Sequence, residues 1–262
     1  MIAESFICTT CGTAYASAAR PPADCPVCED ERQYVNPLGQ SWTTLRQINN
    51  THKNILDKIN DSLYAIYTAP AFAIGQRAHL LLTPQGNILW DCIANLDTTT
   101  IGLINKLGGI RKIAISHPHY YTTMAEWSQA FQAPVYIHRR DAQWIPRRDF
   151  DLQLWDGLKH EILPGATLIN SAGHFDGGAI LHYDRFLLTG DIIQVAPDLK
   201  TAGFMYSYPN YIPLDKKSIL HIQASLNGVD FDALYGAFGR YITRQARAAF
   251  DYSIARYLKI FE

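Results

Sequence analysis

The chain of 262 residues contains no apolar run approaching the ~20 residues of a membrane-spanning helix. Its amino terminus, MIAESFICTTCG, has neither a positively charged n-region nor a long apolar stretch behind it, so no secretory signal is expected. The expectation is a soluble, cytoplasmic protein with no membrane partner. Basic charge is not in excess either: Lys plus Arg is 23 against 24 for Asp plus Glu, a net charge of −1. Proteins that grip a phosphate backbone carry clustered positive charge, so nucleic acid is excluded as the main partner. Internal repeats and low-complexity segments are absent. With 48% hydrophobic and 18% charged residues, disorder is excluded as well. The length suits one large domain, or one with a small appendage.

Cysteine is scarce over most of the chain and concentrated at its start. Four of the five form Cys8-x2-Cys11 and Cys25-x2-Cys28. Two such knuckles turn two sulfurs each toward a common point and close a tetrahedron around one metal ion. Two disulfides are the alternative, which a reducing compartment argues against. The stretch FICTTCGTAY followed by CPVC resembles a rubredoxin or zinc-ribbon module over residues 1–40. The resemblance implies either iron for electron transfer or zinc for structure; CPVCED lacks the glycine that rubredoxins place after the last cysteine, which favours structural zinc. Cys92, in ILWDCI, reads as a small buried hydrophobe.

Residues 41–61 read as a polar connector with a short helix over Asn54–Ile59, and residues 62–262 as a second domain. Strands are predicted at Leu63–Tyr67, Ala78–Leu82, Ile88–Ile93, Ile113–Ser116 and Pro134–Ile137, and a hairpin in AILHYDRFLLTGD turns at Asp184-Arg185. Helices are predicted at Thr98–Leu107, ending at Gly108-Gly109, and at Met124–Phe131, where Thr123 and Glu126 form a capping-box pattern. A stripe at helical spacing runs from Ile242 through Ala246, Phe250, Ile254 and Leu258 to Phe261. Strands and helices alternate, so the class is α/β or α+β.

Of nine histidines, His52, His79, His160, His182 and His221 stand alone and read as surface or hydrogen-bonded core residues, while His138 ends a strand and could line a site. His117-Pro118-His119 follows the apolar run KIAIS; on an extended chain its two imidazoles share a side. Downstream come Gly173-His174-Phe175-Asp176-Gly177-Gly178, Leu188-Thr189-Gly190-Asp191 and Tyr235-Gly236-Ala237-Phe238-Gly239. In this order, SHPHYY, AGHFDGG, FLLTGD and LYGAFGR resemble the successive motifs of the metallo-β-lactamase fold, and ILWDCI resembles that family's early strand ending near an aspartate. The resemblance covers roughly residues 60–262. It implies an αβ/βα four-layer sandwich with metals at one edge of two facing sheets.

The family's first motif, HxHxDH, is incomplete: its aspartate is replaced by Tyr121 and its last histidine by Thr122. The family's final histidine falls at or beside Phe238, which binds no metal. His117, His119 and His174 remain as implied metal ligands, with Asp191, which bridges two ions in the family, as a fourth ligand or a water-orienting group. That set suits one zinc ion. Tyr121 either donates a hydrogen bond to a developing oxyanion or packs beside Tyr120 and Trp127. The leading reading is a zinc hydrolase of a small ester, thioester or lactone. An iron oxygenase using His117, His174 and Asp191, similar to persulfide dioxygenases, is a second reading. A non-catalytic binding protein is a third. Substrate specificity would come from the aromatic segment Gln194–Pro213, whose Phe204, Tyr206, Tyr208 and Tyr211 either wall a pocket or pack the loop down.

Overall fold

Residues 53–60, KNILDKIN, alternate between more and less exposed positions along the chain, as a strand at a sheet edge does. In the computed structural model, which describes residues 5–262, they form the strand Lys53–Asn60 and not the expected helix. A six-residue helix gains too little to offset nucleation, whereas this segment pairs along its length with Leu63–Ala69. Asn60 Oδ1 fixes the turn between them, accepting from the Ser62 N–H at 2.9 Å. The helix of this region lies earlier, at Leu45–Thr51. There a capping box does form: Thr44 Oγ1 accepts from the Gln47 N–H, and Gln47 Oε1 accepts from the Thr44 N–H. The connector expected over 41–61 therefore contributes an edge strand to the main sheet.

That sheet has seven strands in chain order, continuing through Ala78–Leu81, Ile88–Trp90, Lys112–Ala114 and Val135–His138 to Leu152–Trp155. The first four strands pair antiparallel and the rest join in parallel. A six-stranded sheet faces it. Its order is Lys159–Leu163, Ala166–Asn170, Ala179–Tyr183, Phe186–Leu188, Ala233–Tyr235, Tyr241–Ile242. Only Phe186–Leu188 and Ala233–Tyr235 pair in parallel there.

Alternation along the strands sends neighbouring side chains to different cores. Leu81, Ile88 and Trp90 meet Leu168, Leu181 and Leu188 between the two sheets. Leu80 and Leu89 point the other way, onto Ile104 of the helix Thr98–Lys106 and Trp127 of the helix Met124–Phe131. The second sheet buries Ile180 and Leu187 beneath Ile219 and Ile222 of the helix Lys216–Ser225 and Phe250 and Ile254 of the helix Ala246–Leu258. Helix, sheet, sheet and helix make the expected four layers.

Two local expectations fail for the same reason, a competing tertiary partner. The Thr123 hydroxyl donates to the carbonyls of Ile93 and Ala94 at 3.0 and 3.1 Å and does not cap its helix. Glu126 pairs with Arg147 at 2.6 Å. The final helix is shorter than its stripe, because Ile242 pairs as a strand with Leu234.

The cysteine segment is tied to the rest. Phe6–Cys8 pairs with Trp42–Thr44, and the short helix Pro26–Glu29 carries Cys28. Ile7 and Ala14 share a small core with Ile48 and Ala94, and the Ala14 N–H donates to the Thr122 carbonyl at 2.9 Å. Among the described residues, no helix is long and apolar enough to cross a membrane.

Candidate metal centres

The four cysteines of the two knuckles are buried and unbridged, with all four sulfurs within 4.8 Å of one another. Cys8 and Cys28 are 3.6 Å apart, as are Cys11 and Cys25. A disulfide requires about 2.05 Å, whereas zinc–sulfur bonds of about 2.3 Å in a tetrahedron place sulfurs roughly 3.8 Å apart. The spacing fits a shared metal. The Tyr15 hydroxyl and the Gln40 side-chain amide donate to Cys25 and Cys8, each at 3.2 Å, as donors around thiolates do.

The second cluster lies where several strands end on one rim. His117 follows the strand Lys112–Ala114, Asp191 follows Phe186–Leu188, and His174 sits in the loop between Ala166–Asn170 and Ala179–Tyr183. His117 is extended, but Pro118–Tyr120 is a 3-10 turn. The expectation that His117 and His119 share the side of a straight strand is therefore corrected: the turn brings them together, with ring centroids 5.1 Å apart. Donor atoms of His117, His119, His174 and Asp191 all lie within 4.8 Å of one another, and all four residues are buried.

Each ring's orientation has a cause. The Ser116 backbone N–H and hydroxyl both donate to Asp91, at 2.7 and 3.0 Å. With its proton committed, the Ser116 oxygen accepts from His117 Nδ1 at 2.8 Å, leaving a lone pair on His117 Nε2. That atom is buried without a hydrogen-bond partner, 3.7 Å from Asp191 Oδ2. A Cβ on Gly190, whose φ is +50°, would collide with the Ser116 hydroxyl, so the motif's glycine guards this relay. His174 Nδ1 donates to the Met205 carbonyl at 3.1 Å, which turns Nε2 toward His119 Nδ1 at 3.2 Å. Burial, then the neighbouring His117, brings the His174 pKa down to about 3; burial likewise holds His119 well below the usual histidine range. Neutral imidazoles with converging lone pairs and an orphaned buried nitrogen fit a cation.

His119, His174 and Asp191 open onto a cavity of about 200 Å³ with Ile74, Pro209 and Phe238 as apolar wall. Gln33 and Tyr208 complete it. A larger open groove of about 530 Å³, between Asp198–Thr201 and Arg244–Tyr252, lies elsewhere and carries no such cluster of donors.

Tyr121 does not face this cavity. It is fully buried in the helix-side core, and its hydroxyl donates to the Asp141 carbonyl at 3.0 Å. The oxyanion role is thereby replaced by the packing role. Its neighbour Tyr120 packs on His117 instead, with ring centroids 5.2 Å apart. Of the four loop aromatics, only Tyr208 lines the cavity, and its hydroxyl donates to the Asp191 carbonyl at 3.1 Å. Phe204 is core, Tyr206 donates to Glu31, and Tyr211 is 84% exposed. His138 lies against Trp155 and takes no part. Gln33 is invisible to motif reasoning, since no spacing connects it to a histidine loop about 140 residues away.

No family model matches the chain. The Uncharacterized protein YmaE of Bacillus subtilis (strain 168) is 47% identical over 262 residues, spanning 97% of this chain and 96% of that one. Among solved structures, VMB-1 superposes with a TM-score of 0.61 at 13% identity, over 80% of this chain and 99% of that one. The metallo-β-lactamase FIM-1 from Pseudomonas aeruginosa, in its mono-zinc form, gives 0.57 at 12% identity over 78% and 96%. The chain therefore belongs to one family with YmaE and is a metallo-β-lactamase-fold protein with a four-cysteine cluster near its amino terminus.

Proposed function

We infer that the protein is a cytoplasmic metal-dependent hydrolase of a small ester, thioester or lactone, with one zinc ion at the histidine site and a structural zinc at Cys8, Cys11, Cys25 and Cys28. The observation that carries this reading is a cluster of three imidazoles and a carboxylate, of which His119, His174 and Asp191 line a largely apolar cavity of about 200 Å³. His117, His119 and His174 would hold the ion, with Asp191 as a fourth ligand or as the group that orients water. Zinc so held brings bound water to a pKa of about 7 and polarises a carbonyl.

The chain's own residues do the rest. Ser116 and Asp91 keep His117 in one tautomer. Tyr208 anchors the backbone at Asp191. Ile74 and Phe238 put apolar surface beside these ligands, where a lower local dielectric strengthens polar interactions. A second metal is disfavoured, because Tyr121 is core and Phe238 replaces a ligand with an apolar wall. The mono-zinc form of FIM-1 supports a one-ion reading of this fold.

Elemental analysis of the purified protein and a panel of aryl esters, thioesters and lactones test it. The expected result is two zinc ions per chain, falling to one in His174→Ala with at least a ~100-fold loss of rate. Hydrolysis unchanged in His174→Ala rejects the reading. Iron at the histidine site, with oxygen uptake on adding a thiol, replaces it with the oxygenase.

A further inference from the structure

Phe175, the residue after His174, is buried against all three imidazoles of the histidine centre. Its ring centroid lies 5.5 Å from that of His117, in a stacked arrangement. It lies 5.1 and 5.2 Å from those of His119 and His174, edge to face. Aromatic contacts of this kind have preferred geometries, so the place of Phe175 constrains where three candidate ligands point. Phe175 itself sits in a loop with Gly173, Gly177 and Gly178. Glycine allows the backbone many conformations, and the loop needs holding from outside.

Arg32 supplies such a hold. Its guanidinium carbon lies over the Phe175 ring, 4.0 Å from the centroid, and 5.2 and 5.5 Å from those of Tyr206 and Trp144. Its Nε and Nη2 donate to the two carboxylate oxygens of Asp30 at 2.6 and 2.8 Å, while Nη1 donates to the His174 carbonyl at 3.4 Å. The side chain is only 14% exposed. Gripping a carboxylate with two nitrogens, reaching a carbonyl with the third and lying over a ring is open to the planar fork of arginine and closed to lysine.

Arg32 lies outside the stretch that resembles the metallo-β-lactamase fold. It follows Cys28 by four residues. The Asp30 N–H donates to the Pro26 carbonyl at 3.3 Å, ending the short helix that carries Cys28. On the other side, the Asn210 side-chain amide donates to the carbonyls of Glu31 and Gln33 at 2.8 and 2.9 Å, and Tyr206 donates to the Glu31 carboxylate at 2.8 Å. Residues 30–33 are thus fastened from both directions, and Arg32 is presented from a fixed backbone.

We propose that Arg32 is a positioning residue of the histidine centre, acting through the Phe175 ring and the His174 carbonyl to set the geometry in which His117, His119 and His174 meet an ion. Arg32 does not line the cavity, so its action is on the ligands and not on a substrate. The inference rests on the metal-dependent reading of this centre, and only its consequence for rate rests on hydrolysis.

The test keeps zinc at the cysteine centre of the full chain and reads the histidine centre in two ways. One is zinc affinity in competition with a chelator; the other is the visible d–d absorption after cobalt(II) replaces zinc at the histidines. Wild type is compared with Arg32→Met, which keeps the length and loses charge and fork, and with Arg32→Lys, which keeps the charge alone. Arg32→Met is expected to weaken zinc at the histidine centre at least ~10-fold and to shift the cobalt spectrum, with the cysteine-bound zinc retained. Arg32→Lys should resemble it, because the fork does the holding. Asp30→Asn, which leaves Arg32 in the chain and slackens its grip, carries the same expectation if Arg32→Met does not fold. Affinity and spectrum unchanged in Arg32→Met overturn the proposal, and full recovery in Arg32→Lys replaces positioning with a purely electrostatic effect. Zinc lost equally from both centres, in Asp30→Asn as in Arg32→Met, overturns it too, since Arg32 would then serve only the fold. If the affinity responds to Arg32 but no ester, thioester or lactone is hydrolysed, the hydrolytic reading falls and the Arg32 assignment stands; hydrolysis with both metal readouts indifferent to Arg32 gives the reverse.

Discussion

The guanidinium carbon of Arg32 lies 4.0 Å from the centroid of the Phe175 ring, the residue next to His174. Both side chains of the Arg32–Asp30 pair are largely shielded from water, and the Arg32 Nε and Asp30 Oδ1 atoms are 2.6 Å apart. Desolvation strengthens a cation over an aromatic face, to ~2 kcal/mol in favourable cases. The stretch that follows the last knuckle cysteine is thereby seated on the loop that presents His174.

Cys28→Ser should empty the cysteine centre and loosen the segment around it. Metal binding supplies most of the folding free energy of small cysteine modules. The expected outcome is one metal fewer per chain and proteolytic cleavage within residues 9–40 before the main domain unfolds. Elemental analysis with limited proteolysis reads both; unchanged metal content and an uncut segment would mean that the cysteines hold no ion.

Ser116→Ala interrupts the chain of hydrogen bonds from Asp91 to His117. Burial pushes the Asp91 carboxyl well above the usual carboxylate range, and the two hydrogen bonds from Ser116 oppose that. Losing an outer partner of this kind typically weakens metal binding ~10–100-fold. Titration with a competing chelator should show that weakening at the histidine site alone, with the cysteine-bound ion held as tightly as before.

Tyr121→Phe removes one hydrogen bond, to the Asp141 carbonyl. The expected cost is about 1 kcal/mol in urea unfolding, with ester hydrolysis within ~2-fold of wild type, since a buried residue that does not reach the cavity contributes nothing to the chemistry. Tyr121→Asp, which installs the family's residue, should not restore a second metal. It places a carboxylate in the core beside Trp127 and Met124 and should cost more than ~3 kcal/mol. A loss of rate in the phenylalanine variant as large as in His174→Ala would reinstate Tyr121 as a catalytic group.

Asp141 makes stability depend on pH. Its Oδ1 accepts from the Gly177 N–H at 2.8 Å, while Oδ2 is buried without a partner. A Cβ on Gly177 would come within 2.6 Å of the Asp141 carboxyl carbon, so this loop glycine admits the contact. Burial above all, and the nearby Asp176, raise the Asp141 pKa to about 7, against the opposing pull of the Gly177 N–H, Arg32 and Arg140. The folded state therefore binds this proton more tightly than the unfolded chain, whose value is about 3.9. The stabilisation is complete below about pH 4 and is lost as pH rises through about 7, up to roughly 4 kcal/mol in all. Asp141→Asn keeps the acceptor and removes the titration. Urea unfolding between pH 5 and 8 should show the wild type losing stability relative to the variant; a constant difference would rule this out.

The cysteine knuckles, the histidine, glycine and aspartate motifs and the alternation of strands with helices were all legible in the residues, because each depends on spacing along a short stretch of chain. Spacing reports which side chains a knuckle, a strand end or a glycine loop presents together. It does not report what arrives from elsewhere. Thr123 gave up its cap to the carbonyls of Ile93 and Ala94, and Asn54–Ile59 became a strand because Leu63–Ala69 lay beside it. Tyr121 and Tyr120 divided their roles by a turn that the chain's local pattern does not specify. The seating of residues 30–33 on the His174 loop, and with it the place of Gln33 in the cavity wall, is likewise a matter of tertiary contact. Local sequence determined the two candidate sets of metal-binding side chains; the packing of distant segments decided that residues 30–33 sit on the His174 loop, since such contacts form only after the sheets have brought remote stretches together.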